Sequence, residues 1–220
     1  LKAFMSELEN TDEIGKSPFR RLSREKKKTI MHVMYNDPFF LRAEEFKQVL
    51  CAALPPRLEK YRDRFILNCC LGCRIGDLSR LSMENVGVSP EGIPYIHYFP
   101  SKTRNSSATN KEVVTPLVRC AFDIISRTRF DFNAQSSKAL MQMMNKHLPG
   151  ILFRCGIDRK VSIWDEAQQR NVYKPLWALA TSRLARKTHV DMMNKVQIDL
   201  YAAGLHKRGS QAVNRYTSME

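Results

Sequence analysis

Hydrophobic and polar positions along this chain follow the period of a helix over most of its length and the period of a strand in one place. Residues 1 to about 12 put Phe4, Met5 and Leu8 on one face and predict a helix. Gly15 and Pro18 break that pattern between Asp12 and Phe19, and Asp37-Pro38 opens the next unit. From Arg42 to Ala53 the apolar positions Phe46, Val49 and Leu50 fall on one helical face, and Pro55-Pro56 ends the run. A longer helix is expected over Leu58–Leu71, with Tyr61, Phe65, Ile66 and Cys69 at core spacing. Gly72 then allows a tight turn, and Ile75–Ser82 starts again with Leu78 and Leu81 inward.

Gly87 to Leu117 is the β-like region. Ile93–Phe99 is β-branched and aromatic, and Lys111–Thr115 reads as its antiparallel partner across the turn-prone stretch SKTRNSSATN. Helices follow over Pro116–Ile125 and Ser137–Phe153. The second carries Leu140, Met143, Met144, Leu148 and Leu152 as a core stripe and His147 as a structural residue. Ile157–Tyr173 reads as irregular or weakly extended, with Trp164 as a core anchor. Leu176–Val196 is helical, with Thr181-Ser182 as its N-cap pair, and Ile198–Ala203 is a short helix. The fold class this predicts is mainly α with a small antiparallel β-sheet, an α+β domain.

With 220 residues, 43% of them hydrophobic, the chain has enough apolar material for a core, which argues against global disorder. The sequence holds no apolar run long enough to span a membrane and opens with no signal-peptide pattern, so a fragment boundary with further protein upstream is expected at Leu1. Charge changes the picture more. Thirty-six basic residues against 22 acidic ones give a net charge of +14, the balance of a domain that meets a polyanion such as nucleic acid. The densest run is Arg20–Lys28, with Lys26, Lys27 and Lys28 at its end; it is either a solvated linker or a tether along a DNA backbone. Of six cysteines, Cys69, Cys70 and Cys73 lie in an apolar helical run and behave as small hydrophobes. Cys70-x-x-Cys73 has no second ligand pair at zinc spacing, so no metal is expected and the thiols are expected to be reduced.

The candidate chemistry is spread over four stretches. Tyr216 closes the stretch GLHKRGSQAVNRY, which opens near His206 and contains Lys207 and Arg208. Arg74 stands in GCRIGDL, Lys102 and Arg104 in PSKTRN, and Arg183, Arg186 and Lys187 in SRLARKTH. Each has a plain alternative: a buried tyrosine with a wet hydroxyl, a salt bridge from Arg74 to Asp77, a mobile loop around Lys102, a solvent-facing His206. His189, six residues beyond Arg183, lies on another face and reads as a core histidine. Together, two arginines, a lysine, a histidine and a tyrosine make a site for a phosphodiester.

In that order and local wording the chain resembles the tyrosine recombinase (phage-type integrase) family, over roughly residues 38–220. The glycine-arginine turn after an apolar helix, the Ala-Arg-Lys-Thr box and the ten-residue interval from His206 to Tyr216 carry the resemblance. The last turn, His-x-x-Gly-Ser-x-Ala-x-x-Arg-Tyr, is most similar to integrases of conjugative and mobilisable elements. The resemblance implies Tyr216 as nucleophile, Arg74 and Arg186 as the catalytic arginines, Lys102 as general acid delivered from a hairpin turn, and His206 as a phosphate donor. It implies DNA contacts from Lys26, Lys27, Lys28, Arg104, Lys187, Lys207 and Arg208. Residues 1–37 become the trailing helix of an upstream DNA-binding domain plus a basic linker, and 38–220 the catalytic domain.

The chemistry so implied is DNA strand cleavage and rejoining through a 3′-phosphotyrosyl link, with no cofactor. The partner is double-stranded DNA, bound as a homo-oligomer (a tetramer in the family), with a monomer as an expected form free in solution. The setting is the bacterial cytoplasm and nucleoid, with no membrane. One departure stands out: the family box usually begins with histidine, and here Arg183 takes that place. Arginine does not accept a proton near neutrality, so a general-base role is lost there while charge stabilisation remains. Two other functions fit the same residues: a DNA-binding accessory module without catalysis, and DNA relaxation of the type IB topoisomerase kind.

Overall fold

The computed structural model describes residues 2–16, 39–101, 112–131, 136–165 and 167–197. It divides into two compact units, 1–35 and 36–220. In the first, helix α1 (Lys2–Asn10) carries half-buried Met5 and Leu8 and an exposed Phe4. The expected short helix over Ile198–Ala203, the basic run at Lys26, Lys27 and Lys28, and Lys102, Arg104, His206, Lys207, Arg208 and Tyr216 lie outside the described residues.

The second unit is built around one helix. Helix α2 spans Ala43–Cys51, α3 spans Pro56–Leu71 and α4 is the single turn Ile75–Leu78. A 3-10 turn (Met83–Asn85) leads into a three-stranded sheet of β1 (Val86–Val88), β2 (Pro94–Tyr98) and β3 (Val113–Pro116). Then come α5 (Arg119–Thr128), α6 (Ser137–Arg154), β4 (Lys160–Asp165), β5 (Arg170–Pro175), a 3-10 turn (Leu176–Leu179) and α7 (Arg183–Lys195). Helix α3 packs against α2, α5, α6 and α7. That placement explains why it is buried almost all round: Leu58, Tyr61, Phe65, Ile66, Leu67, Cys69 and Leu71 are all in the core.

Pro56 supplies the first residue of α3, where a missing N–H costs nothing, so Pro55-Pro56 separates two helices and starts the second. The Met-rich helix buries Leu140, Met144, Leu148 and Leu152 as its spacing predicts, and His147 stacks on Tyr61 at 4.3 Å between ring centroids.

In the three-stranded sheet β2 is central and both its neighbours are antiparallel, with Ile96 opposite Val86 on one side and Thr115 on the other. Pro116 completes β3 opposite Tyr95, so the helix expected from Pro116 begins only at Arg119. A second sheet decides the reading of 157–173 as irregular or weakly extended in favour of the extended alternative. β4 and β5 form an antiparallel hairpin with Ile163 opposite Val172, closed by a turn in which Asp165 Oδ1 accepts from the Ala167 and Gln168 amides. Its burial is shallow. Only Val161 on β4 is buried, and Trp164 is half-buried on the strand instead of anchoring the core.

Polar ties fix the periphery to this core. Arg159 donates from Nε to Glu45 Oε1 (2.7 Å) and from Nη2 to the Phe40 carbonyl (2.7 Å), joining the entry of β4 to the start of α2. Burial pushes the Glu45 carboxyl up, but the bonds from Arg159 and the Arg42 amide and the charges of both arginines together more than cancel this, and its pKa lies below the ordinary value. The Leu41 amide donates to Oγ1 of the fully buried Thr188 on α7 (3.0 Å).

Candidate phosphate-binding site

The site is assembled at the C-terminal end of α3. Gly72 caps that helix in the left-handed conformation (φ 61°), its amide donating to the Asn68 carbonyl at 2.9 Å. A side chain has no room there either: a Cβ on Gly72 would lie 2.2 Å from Cδ2 of His189. The His189 ring comes from α7, is 5% exposed, and places Nδ1 2.8 Å from the Cys69 carbonyl. Burial holds its pKa below the ordinary histidine value, and the charge of Arg186 adds to that. His189 is therefore the core histidine that its spacing predicts, and it joins α7 to the turn.

Arg186 uses the same turn. One turn before His189 on α7 and half-buried, it donates from Nη1 to the Gly72 carbonyl at 2.6 Å. Arg74, two residues along, is the N-cap residue of α4, and its side chain is 43% exposed. The two arginines thus converge on one turn of backbone, although 112 positions separate them in sequence. Their charges also meet at one phenol. Burial raises the pKa of the buried Tyr98, Cys73 and Asp77 raise it further, and Arg186 and Arg74 both pull it back. Cys73 is pushed up to about 12, first by burial and next by Asp77, with Arg186 opposing.

Asp77 ties the turn to the hairpin. Its carboxylate is 2% exposed. Oδ1 accepts from the Ser101 amide (3.0 Å), the Ser101 hydroxyl (2.8 Å) and an Arg80 Nη2. Oδ2 lies 4.0 Å from Arg74 Nη1, at the limit of an ion pair, so Asp77 braces the turn without capturing Arg74. Ser101 directly precedes Lys102, so the backbone entering the SKTRN stretch is pinned beside Arg74. Further out, His97 Nδ1 and Glu112 Oε1 meet at 2.7 Å across β2 and β3. Ser101 and Tyr98 were not among the residues that sequence reasoning singled out. Their signal was position: Ser101 sits next to Lys102, and Tyr98 is an inward residue at the end of β2.

At the start of α7 the expected cap holds in place only. Ser182 makes no side-chain cap; it is buried, and its amide donates instead to Oδ1 of Asn145 on α6 (2.8 Å). Arg183 is exposed on the first turn of α7, one helical turn before Lys187. Lys187 Nζ lies 4.1 Å from the centroid of the Phe39 ring, and burial, then the Arg183 charge, lowers its pKa. Its amine is thus turned onto an aromatic face, which the DNA-contact expectation did not foresee.

Chemically, the described part of the site brings two guanidinium charges to one turn, Arg186 on the Gly72 carbonyl and Arg74 beside Asp77, and charges of this kind suit the non-bridging oxygens of a phosphate. Among the described residues, no group of three or more His, Cys, Asp or Glu side chains is placed to hold a metal, and no helix is long and apolar enough to cross a membrane.

No family model and no curated protein sequence matches the chain. Solved structures do. The chain is similar to lambda integrase in the crystal structure of its dimer bound to a COC′ core site, with 13% identity, a TM-score of 0.59, and 96% of this chain and 68% of that one covered. It is similar to the Tn1549 transposon integrase in complex with circular intermediate DNA, at 14% identity and TM-score 0.55, over 100% of this chain and 72% of that one. The XerH site-specific recombinase bound to difH substrate before cleavage gives 13% identity and TM-score 0.55, over 86% and 53%. Identities this low speak to the fold. The chain has the catalytic-domain fold of the tyrosine recombinases, and it spans between 53% and 72% of the length of these three proteins.

Proposed function

We propose that the chain is the catalytic part of a site-specific DNA recombinase that cleaves and rejoins strands by transesterification. The observation that carries this reading is the convergence of Arg74 and Arg186 on the Gly72 turn, within a fold shared with DNA-bound recombinases. Tyr216 Oη attacks a scissile phosphate, forming a 3′-phosphotyrosyl link and releasing a 5′-hydroxyl. The phosphoester bond energy is kept in the link, so the chemistry needs no nucleotide cofactor. Arg74, Arg186 and His206 balance the charge that develops on the non-bridging oxygens, and Arg183 adds to it. Lys102, carried on from the Asp77-held Ser101, protonates the leaving oxygen.

Residues 1–37 act as the end of an upstream DNA-binding domain and its basic linker. Lys26, Lys27, Lys28, Arg104, Lys187, Lys207 and Arg208 are candidates for the backbone contacts that hold the duplex. The wording of 206–216 favours an integrase of a mobile element, working as a homo-oligomer on DNA.

The test is a nicked suicide duplex that traps the covalent intermediate. The expected outcome is a DNA–protein adduct that maps to Tyr216 and vanishes in Tyr216→Phe, with DNA binding retained. Arg183 in the usual histidine position favours one other reading, a DNA-binding module without catalysis. Binding without an adduct in the unaltered chain would select that module, and an adduct surviving in Tyr216→Phe would move the nucleophile elsewhere.

A further inference from the structure

Two thiols take no part in the site described so far. Cys70 lies in the last turn of α3 and Cys120 is the second residue of α5. The packing of these helices brings their Sγ atoms to 3.7 Å. That is sulfur–sulfur contact, roughly 1.7 Å longer than a disulfide bond. Both side chains are partly exposed, whereas Cys69, Cys73 and Cys155 are buried, and Cys51 is the exposed comparison.

The two thiols are not equivalent. Cys120 stands in the first turn of a ten-residue helix. Either thiol can donate across the contact; the bond with Cys70 favours the Cys120 anion, as do the amides of Ala121 and Cys120, while burial and the Asp123 carboxylate oppose. The hydrogen bond with Cys70 is the largest of these causes, and the thiol comes down to about 6. Cys70 is pushed the other way, by the same bond and by burial, and keeps its proton. A stabilised thiolate touching a protonated thiol pairs an attacking cysteine with a resolving one.

We propose that Cys70 and Cys120 are a peroxide-reactive pair that closes reversibly into a disulfide between α3 and α5. The Cys120 thiolate attacks one oxygen of a hydroperoxide, the O–O bond breaks, and the other oxygen leaves as an alcohol or water after taking a proton. Cys120 is then a sulfenic acid. Cys70 sulfur displaces its hydroxyl, which leaves as water with the Cys70 proton, and the S–S bond forms. Two electrons pass from the sulfurs to the peroxide, and a dithiol reductant reverses the reaction. The bridge has a structural address: Cys70 lies between the Cys69 carbonyl that meets His189 and the Gly72 carbonyl that holds Arg186.

The test uses the full reduced chain. It is treated with about one equivalent of hydrogen peroxide, blocked with N-ethylmaleimide in denaturant so that buried thiols also react, digested and mapped by mass spectrometry. The expected result is one cross-linked species containing Cys70 and Cys120, two fewer alkylatable thiols than the six of the reduced chain, and full reversal by dithiothreitol. In Cys70→Ser, Cys120 is expected to stop at the sulfenic acid and be captured by a dione probe. In Cys120→Ser, Cys70 stays alkylatable. The inference is overturned if both thiols remain alkylatable in the unaltered chain while Cys51 is consumed, or if Cys120 bridges to another molecule. Mapping the unaltered chain decides this without any variant, and independently of whether the chain cleaves DNA.

Discussion

The two arginines of the site are held in opposite ways. Arg74 leaves a four-residue helix with its side chain exposed, and the order around it comes from a buried carboxylate that binds Ser101 and Arg80. Arg186 leaves a 13-residue helix, is half-buried, and grips a carbonyl of a buried glycine. The first is positioned by a charged brace beneath it, the second by packing against the core. An arginine of the first kind can be removed at little cost to the fold. One of the second kind serves fold and site together.

That contrast sets the largest expected effects. Arg74→Ala and Arg186→Ala should each lower covalent trapping by about 10²- to 10³-fold, the usual loss when one donor to a developing anion is removed. Their stabilities should differ. Arg186→Ala withdraws a charged donor from the Gly72 carbonyl and should cost about 1–3 kcal/mol in a urea titration. Arg74→Ala, at an exposed site, should fall within ~0.5 kcal/mol of the unaltered protein. Equal stability losses would erase the distinction.

Gly72 is where the two supports meet, and Gly72→Ala should sharpen the picture. The left-handed backbone costs a Cβ about 1–2 kcal/mol. The Cβ would also lie 2.2 Å from the His189 ring, so that ring must move. A total loss of roughly 2–4 kcal/mol is expected in denaturant melts. A double-mutant cycle with His189→Ala separates the two causes, since removing the ring relieves the clash and leaves the backbone strain. Additive losses would mean that α7 is not held through this contact.

Ser101→Ala probes the other support and should do less. It deletes one of the donors to Asp77 Oδ1 and keeps the Ser101 amide. A loss of about 1 kcal/mol in stability and roughly tenfold in trapping is expected, the latter because Lys102 follows directly on the clamp. A trapping rate unchanged in Ser101→Ala would disconnect the clamp from the chemistry.

Much of this arrangement was legible in the residues. Helical spacing predicted α3 and the inward side chains Tyr61, Phe65, Ile66 and Cys69, although the helix is buried well beyond that one face, and Gly72 announced the turn because few other residues adopt it. The β2–β3 pairing was readable from β-branched and aromatic alternation. The β4–β5 hairpin was not: its strands carry Lys160, Asp165, Arg170 and Lys174, bury only Val161 on β4, and so lack a period to read. The cap of α7 is legible in place only. Ser182 is the N-cap residue, but its side chain makes no capping bond, and its amide is taken by Asn145, 37 residues away. The Asp77–Ser101 clamp spans 24 positions and involves a serine in a polar stretch, where one hydroxyl looks like any other until the chain is folded.

The smallest expected effect concerns protons. Burial holds His189 below the ordinary value of 6.5, and the Arg186 charge adds to this, while the bonds to the Cys69 and Cys70 backbone oppose it. Between that value and the lower folded one, the unfolded chain takes up a proton that the folded chain refuses. Stability is therefore complete above the unfolded value and falls as the medium is acidified through the window, by at most about 1.4 kcal/mol per pH unit. His147 is also depressed, first by burial, and the Cys120 thiol, brought down to about 6, titrates in the same window with the same sign, so the measurement belongs in a His147→Gln, Cys120→Ser background. Urea midpoints read from roughly pH 7.5 down to about 5.5 should decline with this slope. Adding Arg186→Ala should lower the whole curve and make its acid limb shallower, because the guanidinium no longer repels the proton at His189. An acid limb as steep as before would mean that burial alone sets the histidine, and that the two residues share the Gly72 turn without sharing a field.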